Sequence, residues 1–273
     1  MKQAMIFAAG LGTRLKPLTD RMPKALVRVG GEPLLKHVVL KLRNAGFDRV
    51  VVNVHHFADQ IVQYLQENDN FGMDIRISNE RNMLLETGGG LKKAAPLFDS
   101  SSPIFIHNVD ILSNLDFNAF YGADRAVVCP SCGVPHEMAE ATLLVSWRKT
   151  KRYLIFNGQM RLVGWVNAET RQIKSCYEEI RCLEAEIRQG EVLETLRRHG
   201  LRLYAFSGIH TFSPSLFKLM DAYPDRFPII DFYLDNAAKV AIKGIADDNL
   251  RLLDVGKQDT LDQAESFLSQ YGC

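Results

Sequence analysis

Near its start the chain runs Met5-Ile6-Phe7-Ala8-Ala9-Gly10-Leu11-Gly12-Thr13-Arg14, with Pro23-Lys24 a short way downstream. An apolar run that ends in small residues and then two glycines reads as a buried strand feeding a sharp turn. Gln3 to Ala9 is the expected strand. Gly10 and Gly12 allow the backbone to bend tightly and to approach a ligand closely. Amide groups in such a turn point outward and form a nest for anions. Arg14 and Lys24 bring fixed positive charge to the same place, and a guanidinium can grip phosphate through two parallel hydrogen bonds. Ala8, Ala9, Gly10, Gly12 and Thr13 are therefore the expected lining of a polyphosphate site.

Two commoner glycine motifs do not fit. A dinucleotide fingerprint needs a third glycine where this chain has Leu15. A phosphate-binding loop of the Gly-Lys-Ser/Thr type needs a lysine where this chain has Thr13-Arg14-Leu15.

The following segments alternate. Leu34, Leu35, Val38, Val39 and Leu42 give a helical apolar face up to about Ala45, and Gly46 is a natural stop. Arg49 to Val54, Asp74 to Ser78 and Ile104 to Ile106 read as strands; Phe57 to Leu65 and Gly90 to Leu97 read as helices. Strands alternating with helices predict an α/β fold whose mostly parallel central sheet carries helices on both faces. Ligands of such sheets bind beyond the carboxyl ends of the strands. The glycine loop lies there, and so does Asp110, directly after the Ile104-to-Val109 run.

The middle differs. Glu140–Trp147, Tyr153–Phe156 and Leu162–Val166 are short strand-like runs, with the hairpin signal Asn157-Gly158 between two of them. Glu178 to His199 is charged and helical, expected as an exposed helix or lid-like excursion. Leu203 to His210 and Leu250 to Asp254 return to strand, and Thr260 to Leu268 to helix. The chain is expected to be one domain over 1–273, with 150–202 an inserted excursion.

Net charge is +1, so there is no cationic excess to suggest nucleic acid. The five cysteines are irregularly spaced, which argues against a disulfide framework and for a reducing compartment. Cys129 and Cys132 form a C-x-x-C, but Cys176 and Cys182 are not spaced as a second tight pair, so incidental cysteines are expected rather than a zinc site. No apolar run approaches membrane-spanning length, and a cytoplasmic enzyme is the plain expectation.

Gly10-Leu11-Gly12-Thr13-Arg14 followed by Pro23-Lys24 resembles the signature of the sugar-1-phosphate nucleotidyltransferases. The resemblance implies a three-layer, Rossmann-like nucleotidyltransferase fold, and transfer of a nucleotidyl group from a nucleoside triphosphate to a sugar 1-phosphate, with release of pyrophosphate. It implies Mg2+ as cofactor, held by Asp110 and Asp254, and catalytic roles for Arg14, Lys24 and Asp110. The family commonly reads Asn-Gly-Asp where this chain has Asn108-Val109-Asp110; Asn108 is carried over as a nucleotide-site residue. Leu85-Glu86-Thr87-Gly88-Gly89-Gly90 resembles the uridylyltransferases acting on N-acetylmuramic acid 1-phosphate, which implies UTP and base contacts at Thr87 and Gly88. Gly208 resembles a glycine of the strand lining the sugar pocket. The Glu-Lys-Pro element often seen for the sugar phosphate is missing. A non-catalytic nucleotide-binding regulator, or a guanylyltransferase for mannose 1-phosphate, is the alternative on the same fold.

Overall fold

The computed structural model describes residues 1–123 and 138–271. The chain divides into two compact units, Met1–Tyr121 with Phe212–Phe227 and Leu250–Cys273, and Gly122–Thr211 with Pro228–Asn249.

The first unit opens with β1 (Gln3–Phe7), the short strands β2 (Arg28–Val29) and β3 (Glu32–Pro33), and α1 (Leu34–Asn44). β4 (Arg49–Val54), α2 (Ala58–Glu67), β5 (Asp74–Asn79) and α3 (Glu86–Ala94) follow, then β6 (Ile104–Asn108), β7 (Ile111–Ser113) and α4 (Phe117–Gly122). β1 pairs in parallel with β4 on one side and β6 on the other, and β5 lies parallel beyond β4. Ala4, Met5 and Ile6 are fully buried, as are Val50, Val51 and Val52. Continuous apolar strands of this kind belong in a parallel sheet covered on both faces. α1 supplies cover through Leu34, Leu35, Val38, Val39 and Leu42. Phe7 is level with Asn53 and with Asn108, so the carboxyl ends of β1, β4 and β6 finish together. The parallel α/β sheet expected from the alternation is present.

The second unit holds β8 (Ala141–Ser146), β9 (Arg152–Phe156), β10 (Leu162–Asn167) and β11 (Ile173–Lys174). Three short helices come next, α5 (Glu178–Arg181), α6 (Glu184–Gln189) and α7 (Val192–Arg198), then β12 (Arg202–Phe212). β12, β9, β10 and β11 pair antiparallel in that order. The β9–β10 hairpin forms at Asn157-Gly158, but with a longer loop than the signal implies. Asn157 Oδ1 accepts from the amides of Gln159 and Arg161 at 3.0 Å each, and the left-handed residue is Met160. The charged segment 178–199 departs from its expectation as an exposed helix. Its Ile180, Leu183, Ile187, Val192 and Leu196 are buried against Tyr153, Ile155, Val163, Val166 and Leu203, so it covers one face of this sheet. The apolar residues recur at helical spacing beneath the Glu and Arg surface, which is why charge alone misreads the segment.

After β12 the chain adds α8 (Phe217–Met220) to the first unit, then α9 (Ile229–Asn236) and β13 (Ile242–Ala246) to the second, where β13 runs parallel to β8. It ends in the first unit with β14 (Leu252–Asp254) and α10 (Gln258–Tyr271). β14 pairs antiparallel with β7. Ser213-Pro214 opens a 3-10 turn, Pro214–Leu216, that runs directly into α8. No helix among the described residues is long and apolar enough to cross a membrane.

Candidate active site

The glycine loop leaves β1 at its carboxyl end. Gly12 has φ +64°, a left-handed conformation, and a methyl at its Cα would lie 2.7 Å from Thr19 Cγ2. Thr19 is buried and returns the contact, its hydroxyl donating to the Gly12 carbonyl at 2.8 Å. The position therefore needs glycine for two independent reasons, backbone conformation and space. Gly10 is different: it is exposed, and a methyl there would meet nothing within 4 Å. The amides of Gly10, Leu11 and Gly12 donate to no group among the described residues, and stand free for an anion.

The amides of Ala8 and Ala9 are not free. Both donate to Asn53 Oδ1, at 2.7 and 3.3 Å, and both residues are buried.

Four charged residues from distant parts of the sequence meet at the loop. Lys24 begins a 3-10 turn after Pro23, is 7% exposed, and donates through Nζ to Asp110 Oδ2. Asp110 follows β6, and its carbonyl accepts from the Val255 amide at 2.8 Å. β14 pairs with β7 so that Asp254 lies opposite Ile111, bringing the two acids to adjacent strand ends. Gly256 completes the set. A methyl on it would lie 2.6 Å from Asp254 Oδ1 and 2.8 Å from Arg14 Nη2, so carboxylate and guanidinium flank one glycine. Arg14, Lys24, Asp110 and Asp254 are thus brought together, and Thr13 stands exposed in the same loop.

Val109 replaces the glycine of the Asn-Gly-Asp pattern without strain. It is not among the residues with positive φ, and its amide donates to the Phe7 carbonyl at 3.2 Å. Asn108 is partly exposed at the end of β6, and its carbonyl is bonded to His107 Nδ1 at 2.8 Å. Burial depresses the His107 pKa to about 3, so the ring is neutral.

Two carboxylates at adjacent strand ends fit a hard divalent cation of the Mg2+ class, which takes one or two protein carboxylates and fills its remaining positions with phosphate and water. No group of three or more His, Cys, Asp or Glu able to hold a metal occurs among the described residues.

The second glycine run has another use than exposing backbone. Gly88 and Gly89 both donate their amides to the Phe227 carbonyl, at 2.9 and 3.1 Å. A methyl on Gly88 would lie 2.3 Å from Phe227 Cε2, one on Gly89 would lie 1.9 Å from the Asp225 carbonyl oxygen, and one on Gly90 2.7 Å from Glu80 Oε1. The three glycines let α3 pack against segment 212–227 and over Glu80. Thr87, half-buried in the first turn of α3, keeps a side chain at this end of the helix. Gly208 lies in β12 of the second unit with φ +74°. Cys129 and Cys132 lie outside the described residues; Cys176 and Cys182 are free thiols. His55 is a bonded loop histidine, its Nδ1 2.7 Å from the Glu80 carbonyl.

Asn53 and Glu80 are the residues that sequence reasoning missed. Asn53 carried a signal, a lone amide within Val50-Val51-Val52-Asn53-Val54. Glu80 carried none, since it falls in a polar stretch after β5.

Residues 3–126 match the model of the nucleotidyl transferase family. The N-acetylmuramate alpha-1-phosphate uridylyltransferase of Caulobacter vibrioides is 47% identical over 111 residues, which is 40% of this chain and 46% of that protein. The enzyme of the same name from Neisseria meningitidis is 40% identical over 119 residues, 44% of this chain and 51% of that protein. The match spans about half the length of these curated relatives. Among solved structures, a putative glucose-1-phosphate thymidylyltransferase from Bacillus anthracis, in complex with a sucrose, aligns over 98% of this chain and 95% of its own. Its TM-score is 0.72 at 14% identity, which is a likeness of fold.

Proposed function

We propose that this protein transfers a uridylyl group from UTP to a sugar 1-phosphate in a magnesium-dependent reaction, giving a UDP-sugar and pyrophosphate. The observation that carries the reading is the meeting of Arg14, Lys24, Asp110 and Asp254 beside a glycine loop with free amides. A phosphate oxygen of the sugar 1-phosphate attacks the α-phosphorus. The bond from that phosphorus to the bridging oxygen of the β-phosphate breaks, and pyrophosphate leaves with the electron pair. No covalent enzyme intermediate is needed, because positioning and charge neutralisation carry such a transfer.

The free amides of Gly10, Leu11 and Gly12, with the Arg14 guanidinium, hold the β- and γ-phosphates and the departing charge. Lys24, at the mouth of the loop, stabilises charge on the α-phosphate and the attacking oxygen. Asp110 and Asp254 would hold Mg2+, which when bound neutralises phosphate charge and supplies Lewis-acid polarisation. The contact between Lys24 Nζ and Asp110 Oδ2 holds the two side chains against each other.

The uracil assignment draws support from the names of the relatives reported above and from the Thr87 end of α3. Sugar selectivity is assigned to segment 150–202. The second unit has its own cleft of about 560 Å³, lined by Arg148, Arg152, Leu154, Trp165, Lys174 and Phe206 among others. An aromatic face beside cationic groups suits a hydrated, charged ring. The test is a screen of UTP, GTP, CTP and dTTP against a panel of sugar 1-phosphates, read as pyrophosphate release. Best turnover with UTP is expected; a clear preference for another triphosphate overturns the base assignment, and no release with any pair overturns the reaction.

A further inference from the structure

Asn53 and Glu80 lie under the glycine loop, and the reaction proposed above gives neither a role. Asn53 sits near the end of β4, and Glu80 directly follows β5. They are 2% and 1% exposed. Asn53 Oδ1 accepts from the Ala8 and Ala9 amides, and Asn53 Nδ2 donates to Glu80 Oε1 at 2.7 Å. Glu80 Oε2 accepts from the Leu85 amide at 3.2 Å, immediately before α3. The Glu80 backbone is fixed as well, its amide donating to the Val54 carbonyl at 2.8 Å.

The polarity of this chain of bonds is forced. The amides of Ala8, Ala9 and Leu85 can only donate. Burial pushes the Glu80 carboxyl up, yet each of its oxygens faces an N–H donor and accepts from it. Asn53 therefore has one orientation that satisfies every group, nitrogen toward Glu80 and oxygen toward the loop. Turning the amide over would set its NH2 against the Ala8 amide and its oxygen against a carboxylate, leaving buried groups unsatisfied on both sides. Gly90 closes the remaining space, since a methyl there would lie 2.7 Å from Glu80 Oε1 and 3.1 Å from Asn53 Nδ2.

We infer that Glu80 is a positioning residue for nucleotide binding: by fixing the Asn53 amide it aims the backbone leading into the glycine loop, and through Leu85 it sets the start of α3. One buried acid thereby registers the phosphate-facing loop against the helix assigned to the base. The inference rests on the nucleotide-binding reading of the loop.

The test exchanges the polarity of the pair. In Glu80→Gln the new NH2 opposes either the Leu85 amide or the Asn53 NH2. In Asn53→Asp two carboxylates face each other. In the double variant Asn53→Asp/Glu80→Gln every bond is restored: Asp accepts from the Ala8 and Ala9 amides, Gln donates to Asp, and its oxygen accepts from Leu85. UTP binding to the full chain is measured by calorimetry in magnesium, alongside KM for UTP, KM for the sugar 1-phosphate, kcat and Tm. Each single variant should weaken UTP binding about tenfold or more, the size expected for one lost bond to a charged group. The double variant should return to within about threefold of wild type. KM for UTP should move while KM for the sugar 1-phosphate does not; a merely structural defect lowers Tm and kcat and leaves KM for UTP alone. Single variants that bind UTP as tightly as wild type overturn the inference, as does a double variant weakened by the product of the two single effects. Hydrogen exchange at Ala8 and Ala9 reads the same arrangement without ligand: faster in each single variant, restored in the double. A wild-type protein that binds no UTP would fault the uridylyl reading instead, and unchanged exchange in the single variants would then overturn this one.

Discussion

Gly12→Ala is the most informative single substitution in the loop. Its backbone stands at φ +64°, and a left-handed residue with a side chain costs about 1–2 kcal/mol. The new methyl would also lie 2.7 Å from Thr19 Cγ2 and 3.2 Å from Lys24 Cβ. Thr19 is buried and bonded to the Gly12 carbonyl, so it cannot swing aside without losing that bond. Overpacking of this kind costs about 1–3 kcal/mol. Together the two effects give about 2–5 kcal/mol, a large part of the 5–15 kcal/mol that holds a typical domain. Urea denaturation should show that loss, and Lys24, displaced at its Cβ, should bring turnover down with it. Gly10→Ala is the control. Its methyl meets nothing within 4 Å, and φ there is not positive, so stability should stay within about 1 kcal/mol of wild type. Gly10→Ala should still weaken nucleotide binding, because the methyl occupies the space before the free amides. A Gly12→Ala protein as stable as wild type would refute the reasoning that conformation and the Thr19 contact together hold the loop.

Lys24→Ala should depress kcat far more than nucleotide affinity, since its charge acts on the transition state; wild-type turnover with weakened binding would make it a ground-state anchor. Gly89→Ala, whose methyl would stand 1.9 Å from the Asp225 carbonyl oxygen, should lower Tm and detach α3 from segment 212–227, measurable by thermal melting; an unchanged Tm would contradict that packing. Stability should also fall with acid. His107 and His210 are buried with pKa depressed from 6.5 to about 3, so between those values the unfolded chain binds a proton that the native chain refuses. The stability these neutral rings retain above pH 6.5 is lost on acidification at about 1.4 kcal/mol per pH unit per histidine, and chemical denaturation from pH 7 to 5 should show the slope shrink in His210→Gln.

The strands of the first unit were legible because their residues announce them. Val50 to Val52 are apolar on both faces, and only a covered parallel strand accepts that. That Arg14, Lys24 and Asp110 come together follows from their places, after the glycine loop and at the end of a central strand. The second glycine run has a packing role that its sequence does not disclose. Glycines that let backbone approach a ligand and glycines that let a helix approach its own chain look identical in sequence, and only the Phe227 and Asp225 contacts separate them. The segment 178–199 was read by its charges, whereas Ile187 and Leu196, fully buried beneath them, decide its place. The Ala8 and Ala9 amides lead into the loop, and their acceptor, Asn53, comes from another strand and is visible only once β1 and β4 are paired.

The central claim is that Arg14, Lys24, Asp110 and Asp254 form one site for nucleotidyl transfer. Its most direct measurement is labelled pyrophosphate released from UTP by the wild-type chain and by Asp110→Asn, with sugar 1-phosphate or magnesium omitted in turn. Release should require both, and the Asp110→Asn protein should melt like wild type yet lose nearly all turnover, a deficit of several kcal/mol in transition-state stabilisation. Full turnover in excess chelator, or an Asp110→Asn variant as active as wild type, would contradict it.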